Sequence, residues 1–243
     1  MILRITLVIA VLITSTLLTL TIPSGWNGTV NAASSNYTTL SSGTTPSGMT
    51  GKELVGKWWT WVLGIPNDVH PEKKYPDVQR CSEMQNGSVW FLPDVSPGVG
   101  TVNYSCNVPL GKDILLPLTT SECDGGTEGP LTDKELADCA DNIITPTSNI
   151  EATVDGKKVD INGSPVKTEF FNVTYPDNPL DIFGAVKPGT YKGIATGYFL
   201  YLNDMTHGKH KIDLKIIDLL KENEGPPPKF DPPREGVFDI NIK

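Results

Sequence analysis

The sequence contains few of the residues on which most enzymatic and metal chemistry depends. Only three histidines occur among its 243 residues, so an imidazole-based site must use His70, His207 or His210. The sequence also lacks the nucleophile elbow G-x-S-x-G, the zinc motif H-E-x-x-H, the two glycine-rich phosphate motifs and an EF-hand loop. These absences remove support for the commonest hydrolase and nucleotide-binding classes and predict a chain without a cofactor.

Basic residues are scarce as well. Lysine and arginine together number 20 against 28 aspartates and glutamates, and the formal net charge is −8. Binding to nucleic acid depends on basic residues that displace counterions from phosphates, and this chain shows no basic stripe with interleaved aromatic residues. Nucleic acid is therefore excluded as an expected partner.

Long apolar runs are confined to the N-terminus. Arg4 is followed by an apolar run over residues 5–22 and then by Val30-Asn31-Ala32. Small residues at the last position and two before it are accepted by signal peptidases, which predicts a signal peptide over residues 1–32. The alternative is an uncleaved N-terminal anchor, since the run is nearly long enough to span a bilayer. No later run reaches that length, so we expect a secreted or cell-surface protein without a further membrane span.

Cysteine is rare but even in number. The four residues are Cys81, Cys106, Cys123 and Cys139. In an exported chain they predict two disulfides, and the absence of a C-x-x-C pair disfavours a zinc or thioredoxin-like site. Three connectivities are possible, of which Cys81–Cys106 with Cys123–Cys139 is favoured because each bond closes a local loop.

Asn-X-Ser/Thr triplets follow the signal peptide at several positions. Those at Asn36, Asn86, Asn103 and Asn172 predict glycosylation at the surface of an exported protein. A fifth triplet, at Asn162, is weakened by Pro165 directly after it.

Composition divides the remaining chain into three parts. Residues 33–49 are rich in Ser, Thr and Gly and predict a flexible lead-in. Residues 50–243 predict a single domain. Within that domain, residues 221–235 contain five prolines and predict an exposed, extended loop.

Two capping boxes predict two short helices. Thr50 and Glu53 open the first helix, which should end near Gly64 because Pro66 follows. Thr132 and Glu135 open the second helix. Its apolar face consists of Leu136, Cys139, Ala140 and Ile143.

Short runs with alternating or apolar character predict about nine strands. They cover residues 88–92, 101–108, 113–118, 149–154, 158–161, 168–175, 194–202, 210–217 and 237–242. Asp155-Gly156 predicts a tight hairpin, and residues 197–202 are apolar on both faces, which predicts a central strand. The fold class is therefore mainly β: an antiparallel β-sandwich with two short helices, for which a jelly roll is one form.

Several motifs in a fixed order resemble a family of exported prokaryotic proteins of unknown function. They are Trp58-Trp59-Thr60-Trp61, Val89-Trp90-Phe91-Leu92, Cys106-Asn107-Val108-Pro109-Leu110-Gly111-Lys112, Gly197-Tyr198-Phe199-Leu200-Tyr201-Leu202 and Gly208-Lys209-His210-Lys211-Ile212. The resemblance covers nearly the whole domain and implies export and a β-rich fold, but no activity. His70-Pro71 and the long proline-rich stretch depart from the family pattern.

Three kinds of site have candidate residues. His207 and His210 with Met205 nearby would suit copper, although a turn and an ordinary strand explain the same residues. Loop carboxylates would suit a glycosidase or calcium. Glycosidase candidates are Glu83, Asp94, Glu122, Asp124 and Asp181, and calcium candidates lie in residues 124–128. Trp59 or Trp90 would suit sugar stacking if its ring reached a surface groove.

These candidates leave three hypotheses about function. The first is an exported extracellular or cell-surface β-sandwich with a binding or structural role, whose partner is a cell-surface polymer or protein. The second is a secreted hydrolase that acts on polysaccharide or another envelope polymer through loop carboxylates. The third is a copper-handling protein. The first hypothesis, which the sequence favours, does not include an enzymatic activity. The sequence does not predict the oligomeric state.

Overall fold

Eleven strands and two helices make up the described part of the chain, which in this computed structural model comprises residues 36–72, 81–95, 101–141, 150–180, 186–216 and 234–243. The helices are α1 (Gly51–Gly64) and α2 (Asp133–Asp141). The strands are β1 (Asn36–Thr39), β2 (Val89–Phe91), β3 (Thr101–Val108), β4 (Asp113–Asp124), β5 (Ile150–Val154), β6 (Lys157–Lys158), β7 (Val166–Lys167), β8 (Phe171–Tyr175), β9 (Gly189–Asn203), β10 (Gly208–Ile216) and β11 (Arg234–Ile242).

The strands form two sheets. The first has the order β1-β9-β4-β2, and β7 and β8 also pair with β9. The second has the order β3-β11-β10-β5-β6. Most pairs are antiparallel, as predicted, whereas β2–β4 and β3–β11 are parallel. The predicted mainly β sandwich with two helices is confirmed, and β9 is the central strand of the first sheet.

Apolar side chains from both sheets fill the space between them. Alternate residues of β10 point inward, as their pattern predicts, so that Ile212, Leu214 and Ile216 are buried. They belong to one cluster with residues of β3, β4, β9 and β11, which include Tyr104, Leu116, Leu118, Leu200, Leu202, Phe238 and Ile240. Burial of this apolar area is the main favourable contribution to folding.

Helix α1 covers the other face of the first sheet. Thr50 Oγ1 accepts a hydrogen bond from the Glu53 N–H at 3.2 Å, and Glu53 Oε2 accepts one from the Thr50 N–H at 2.7 Å, which confirms the predicted capping box. The helix ends at Gly64, just before Pro66, also as predicted. Its buried face contacts β2, β4, β8 and β9 through a second cluster that includes Leu54, Trp58, Trp61, Phe91, Leu115, Val173 and Phe199.

The two disulfides have the favoured connectivity. Cys81 bonds Cys106 on β3, and Cys123 at the end of β4 bonds Cys139 on α2. The second capping box is present too, since Thr132 and Glu135 exchange hydrogen bonds before α2. Leu136 and Ala140 of the predicted apolar face are buried against Cys123, while Ile143 lies outside the described residues.

The prediction of a flexible lead-in over residues 33–49 is wrong for the part that the structure describes. Residues 36–39 form β1, which pairs antiparallel with residues 200–203 of β9. Leu40 follows with 3% of its surface exposed, and Thr44 bridges Thr50. Backbone groups of any residue can pair with a strand edge, so low apolar content did not prevent strand formation here.

Strand lengths differ from prediction where polar residues are buried or turns intervene. β4 continues past residue 118 to Asp124, through a register shift between Pro117 and Thr119, because β9 pairs with it along its whole length. The hairpin at Asp155-Gly156 is confirmed, but β6 has only two residues. The predicted strand over 168–175 corresponds to β8, which begins three residues later than predicted, at Phe171. Most of the proline-rich loop lies outside the described residues, and residues 234–235 of it belong to β11.

Neither helix approaches the length and hydrophobicity that a bilayer-crossing helix requires, and the described part of the chain holds no other candidate.

Leu40→Ala tests the role of the segment that precedes α1. Because Leu40 is buried in the cluster beneath α1, we expect the substitution to lower the free energy of unfolding by about 2–5 kcal/mol in urea titrations. Leu110→Ala is the matched control, since Leu110 is 58% exposed, and should change that free energy by less than about 0.5 kcal/mol. Equal, small effects would show that residues before α1 are dispensable.

The disulfides should be complete and stabilising. Mass spectrometry without reduction should find no alkylatable thiol. Cys123→Ser/Cys139→Ser opens a loop with a sequence separation of 16 residues, and we expect it to lower the free energy of unfolding by about 3 kcal/mol in the same titration. Four alkylatable cysteines in the wild-type protein would contradict the assignment.

Candidate functional site

Two carboxylic acids lie on one face of β4, at the end where α2 is attached by its disulfide. Glu122 and Asp124 are two residues apart on the strand, so their side chains share a face. Asp124 is fully buried. Its Oδ2 accepts a hydrogen bond from the Tyr175 hydroxyl at 2.6 Å, and its Oδ1 accepts bonds from the Thr127 N–H at 3.0 Å and from the Gly126 N–H.

Glu122 is the second acid of this pair. Burial raises the pKa of Glu122 well above its usual range, and the charge of Asp124 and a hydrogen bond with it raise that pKa further. Its Oε1 is enclosed without a hydrogen-bond partner in the described part of the protein. A Cβ atom at Gly193 would lie 2.4 Å from this Oε1, so a glycine at that position leaves room for the acid.

Asp124 is not accessible to a substrate. The three donors use the acceptor positions of Asp124 that face the loop and Tyr175, and the side chain has no exposed surface. A glycosidase needs both carboxyl groups to flank a substrate. Here Asp124 closes the loop of residues 124–128 and ties it to β8.

A second group of ionisable side chains surrounds the residues that follow β2. Glu72 Oε1 accepts a hydrogen bond from the Asp94 N–H at 3.0 Å, and Arg234 Nη1 donates to the Val95 carbonyl at 3.0 Å. Burial raises the pKa of Glu72 to about 8, with a further increase from the charge of Asp94. Burial also raises the pKa of Asp94, while the Arg234 guanidinium opposes that shift. Arg234 is only 6% exposed, so its charge is compensated inside the protein.

His70 is adjacent to this group and is completely buried. Its Nε2 lies 2.9 Å from the Val62 carbonyl, and the Glu72 N–H donates to its Nδ1 at 3.2 Å. These partners assign the proton to Nε2 and give a neutral imidazole with both nitrogens in use. His70 therefore joins the end of α1 to the residues that follow it and does not face solvent as a catalytic base would.

The three candidate copper ligands do not converge. His210 Nδ1 pairs with Asp155 Oδ2 at 2.8 Å, and its Nε2 lies 2.9 Å from the Thr206 carbonyl. Met205 is buried in the core between the sheets, whereas His207 is exposed. The copper prediction does not fit this arrangement, because the ring nitrogens of His210 fasten the β9–β10 turn to β5.

Neither of the two tryptophan candidates for sugar stacking reaches a surface groove. Trp59 and Trp90 are 7% and 8% exposed. Trp59 Nε1 donates to Thr120 Oγ1 at 3.0 Å across the α1–β4 interface. A ring packed in this way has no face available for a pyranose.

The loop of residues 124–128, which was the candidate calcium site, is held by its own hydrogen bonds. Besides the bonds to Asp124 Oδ1, the Glu128 N–H donates to the Asp124 carbonyl at 3.1 Å. In the described residues, one group has metal-ligand spacing, formed by Glu128 with Cys123 and Cys139. Both sulfurs are in a disulfide, so neither supplies the thiolate that metal binding requires.

A shallow groove of about 400 Å³ lies beside the N-terminal half of α1. Its lining consists of Ser42, Lys52, Pro165, Lys167, Thr168, Glu169, Phe170 and Ile194. Phe170 is 38% exposed, and the Lys192 ammonium lies 4.5 Å from its ring centroid. Lys52 pairs with Glu169 at 2.6 Å on the rim. None of the predicted site residues lines this groove.

Sequence patterns indicated some of these residues and missed others. Asp94, Glu122 and Asp124 were among the glycosidase candidates from the sequence, Glu83 is half-buried near Trp61, and Asp181 lies outside the described residues. Glu72 and Arg234 had no sequence signal, since each lies in a polar or proline-rich stretch that is typical of exposed loops, and Tyr175 was indicated only as the last residue of a predicted strand.

Comparisons with known proteins identify no family. No family model and no curated protein matches the chain. The structure of PbICP-C in complex with falcipain-2 is similar with a TM-score of 0.25 and 10% identity, covering 65% of this chain and 100% of that one. The solution structure of Amebosin is similar with a TM-score of 0.20 and 12% identity, covering 60% and 100%. At these scores neither structure bears on what this chain does.

Glu72→Gln should change how stability depends on pH. Because the folded protein holds a proton on Glu72 up to about pH 8, whereas an unfolded glutamate loses it near pH 4.5, the stability contributed by this proton is lost as pH rises through that window. Glutamine keeps the acceptor for the Asp94 N–H and cannot ionise. At pH 8 we expect the free energy of unfolding of the variant to exceed that of the wild type by at least about 1.4 kcal/mol, the equivalent of one pKa unit.

Urea titrations at pH 5 and pH 8 measure this difference. Glu151→Gln is the control, because Glu151 is an exposed residue of β5 and should leave the pH dependence unchanged. A parallel pH dependence in wild type and Glu72→Gln would refute the assigned protonation of Glu72.

Proposed function

We propose that this protein is exported and acts outside the cell or at the cell surface, through binding or structural contacts. The observation that carries the proposal is the pair of disulfides, which together use all four cysteines of the chain. Disulfides persist in oxidising compartments and are rare in the cytosol. The N-terminal export signal predicted from the sequence supports the same location.

A binding role is supported by where the reactive side chains lie. His70, Asp124 and Glu72 have the residue types of catalytic groups, but each is buried and hydrogen-bonded within the fold. Their hydrogen bonds join neighbouring elements of the fold. The hydrolase hypothesis therefore has no accessible pair of carboxyl groups to support it among the described residues.

The expected contact surface is the groove beside α1, and the expected partner is a polymer of the cell envelope. Phe170 presents an aromatic face there, with the lysine and glutamate pair of the rim beside it. An aromatic ring next to polar groups is suited to a sugar ring, whose faces are apolar and whose edges carry hydroxyls. Phe170 takes the role that the sequence had suggested for Trp59 or Trp90.

Two measurements test this proposal. N-terminal sequencing of protein from the native culture medium and cell surface should find a start at residue 33. In co-sedimentation with isolated cell envelope, Phe170→Ala should bind about tenfold less tightly than wild type. A tenfold change corresponds to about 1.4 kcal/mol of binding free energy, which is the expected effect of losing one well-placed contact.

Leu110→Ala is the matched control for co-sedimentation, because Leu110 is more exposed than Phe170 and lies away from the groove. It should bind as the wild type does. Finding the protein only in the cytoplasm would refute the proposed location. Equal binding of Phe170→Ala and wild type would refute the proposed contact surface.

A further inference from the structure

The asparagines of the Asn-X-Ser/Thr triplets are all exposed. This holds for Asn36, Asn86, Asn103, Asn162 and Asn172. Among the other asparagines in the described ranges, Asn67, Asn203 and Asn241 are half-buried, whereas Asn107 and Asn178 are exposed. Exposure of every triplet asparagine means that each could carry a large substituent without disturbing the core.

Four of these asparagines also share a position in the fold, at the edges of the two sheets. Asn36 lies in β1 and Asn172 in β8, each of which has β9 as its strand partner. Asn103 lies in β3, one of the two edge strands of the second sheet. Asn86 lies three residues before β2, the opposite edge of the first sheet.

Sheet edges need protection in any β-sandwich. An edge strand presents unpaired N–H and C=O groups that can pair with another chain and start aggregation. β3 is the longest of these edges, with eight residues and a regular alternation of exposed and buried side chains. Its exposed positions are Thr101, Asn103, Ser105 and Asn107, without a lysine, proline or inward-pointing charge of the kind that protects other edges.

We propose that Asn36, Asn86, Asn103 and Asn172 carry N-linked glycans, and that these glycans shield the sheet edges from pairing with other chains. The inference rests on the proposed export, because the modification takes place on chains that leave the cytoplasm. A glycan is bulky and solubilising, so one on the outer face of an edge strand hinders the approach of a second strand.

The chemistry requires a glycosyl donor, which is an oligosaccharide linked to a lipid phosphate. The side-chain amide nitrogen of asparagine attacks the anomeric carbon of the sugar, so that an N–C bond forms and the C–O bond to the phosphate breaks. The lipid phosphate leaves, and the amide nitrogen loses one proton. No oxidant or reductant takes part.

The amide nitrogens are available for this reaction. Within the described residues, Asn86, Asn103 and Asn172 have no side-chain hydrogen bond that attachment would break, and Asn36 Nδ2 makes one long bond of 3.4 Å to Asp204. Asn162 differs, since its Nδ2 donates to Asp160 Oδ2 at 2.9 Å and Pro165 follows its triplet. We therefore expect little modification at Asn162.

Peptide mass spectrometry of protein from its native source tests the modification. Glycopeptides should contain Asn36, Asn86, Asn103 and Asn172, and the peptide with Asn107 should be unmodified. Asn107 is the internal control because it is exposed on the same strand as Asn103 but lacks a hydroxyl residue two positions later. A protein that starts at residue 33 and bears no glycan would overturn this inference while leaving export intact. An unmodified protein found in the cytoplasm would overturn export as well.

The shielding is tested at β3 with one pair of variants made in the native host. Ser105→Ala abolishes the triplet at Asn103, whereas Ser105→Thr retains it. We expect light scattering to find at least a threefold larger fraction of associated protein for Ser105→Ala than for Ser105→Thr. Asn103→Gln should behave as Ser105→Ala does, which separates loss of the glycan from any effect of the alanine. Equal association of all three variants would refute the shielding role.

Discussion

Three indole N–H groups on one helix connect the parts of this domain that strand pairing alone does not join. Trp58 donates to the Leu92 carbonyl at 2.8 Å, Trp59 to Thr120 on β4 at 3.0 Å, and Trp61 to the Glu83 carbonyl at 2.9 Å. All three rings lie in the apolar layer beneath α1. Each bond satisfies a buried donor that would otherwise cost free energy. The three bonds together fix the position of the helix on the sheet. They also position the turn after Cys81 and the residue that follows β2 relative to the helix.

Much of this arrangement could be predicted, because it depends on local patterns. The capping box at Thr50 and the run of tryptophans specify α1, and the alternation from Thr101 to Val108 specifies β3 to the residue. Cysteine spacing favoured the observed disulfides, since short loops close most easily. These features are determined within a few residues of the chain.

The parts that could not be predicted depend on partners far away in the sequence. β1 has too few apolar residues to indicate a strand, and it forms because β9 offers an edge. Glu72 and Arg234 are 162 positions apart by their numbers, and Glu122 and Tyr175 also come from different elements. An acid in a sequence is normally solvated. Only the fold shows that these acids are enclosed, with raised pKa values and hydrogen-bonded neighbours, and that they stabilise junctions that no motif marks.

The parallel pairing of β3 with β11 determines when the second sheet can form. β11 follows β3 at a long distance in the sequence, yet it lies inside the sheet, between β3 and β10. Until β11 is available, β3 has no partner among the described strands and β10 is open on one side. Such long-range pairing makes folding slow, because a long loop must close before the contacts form. The second sheet is therefore completed only after β11 has been synthesised, and Thr101 must wait for Glu235, a strand partner that is 134 positions away by its number.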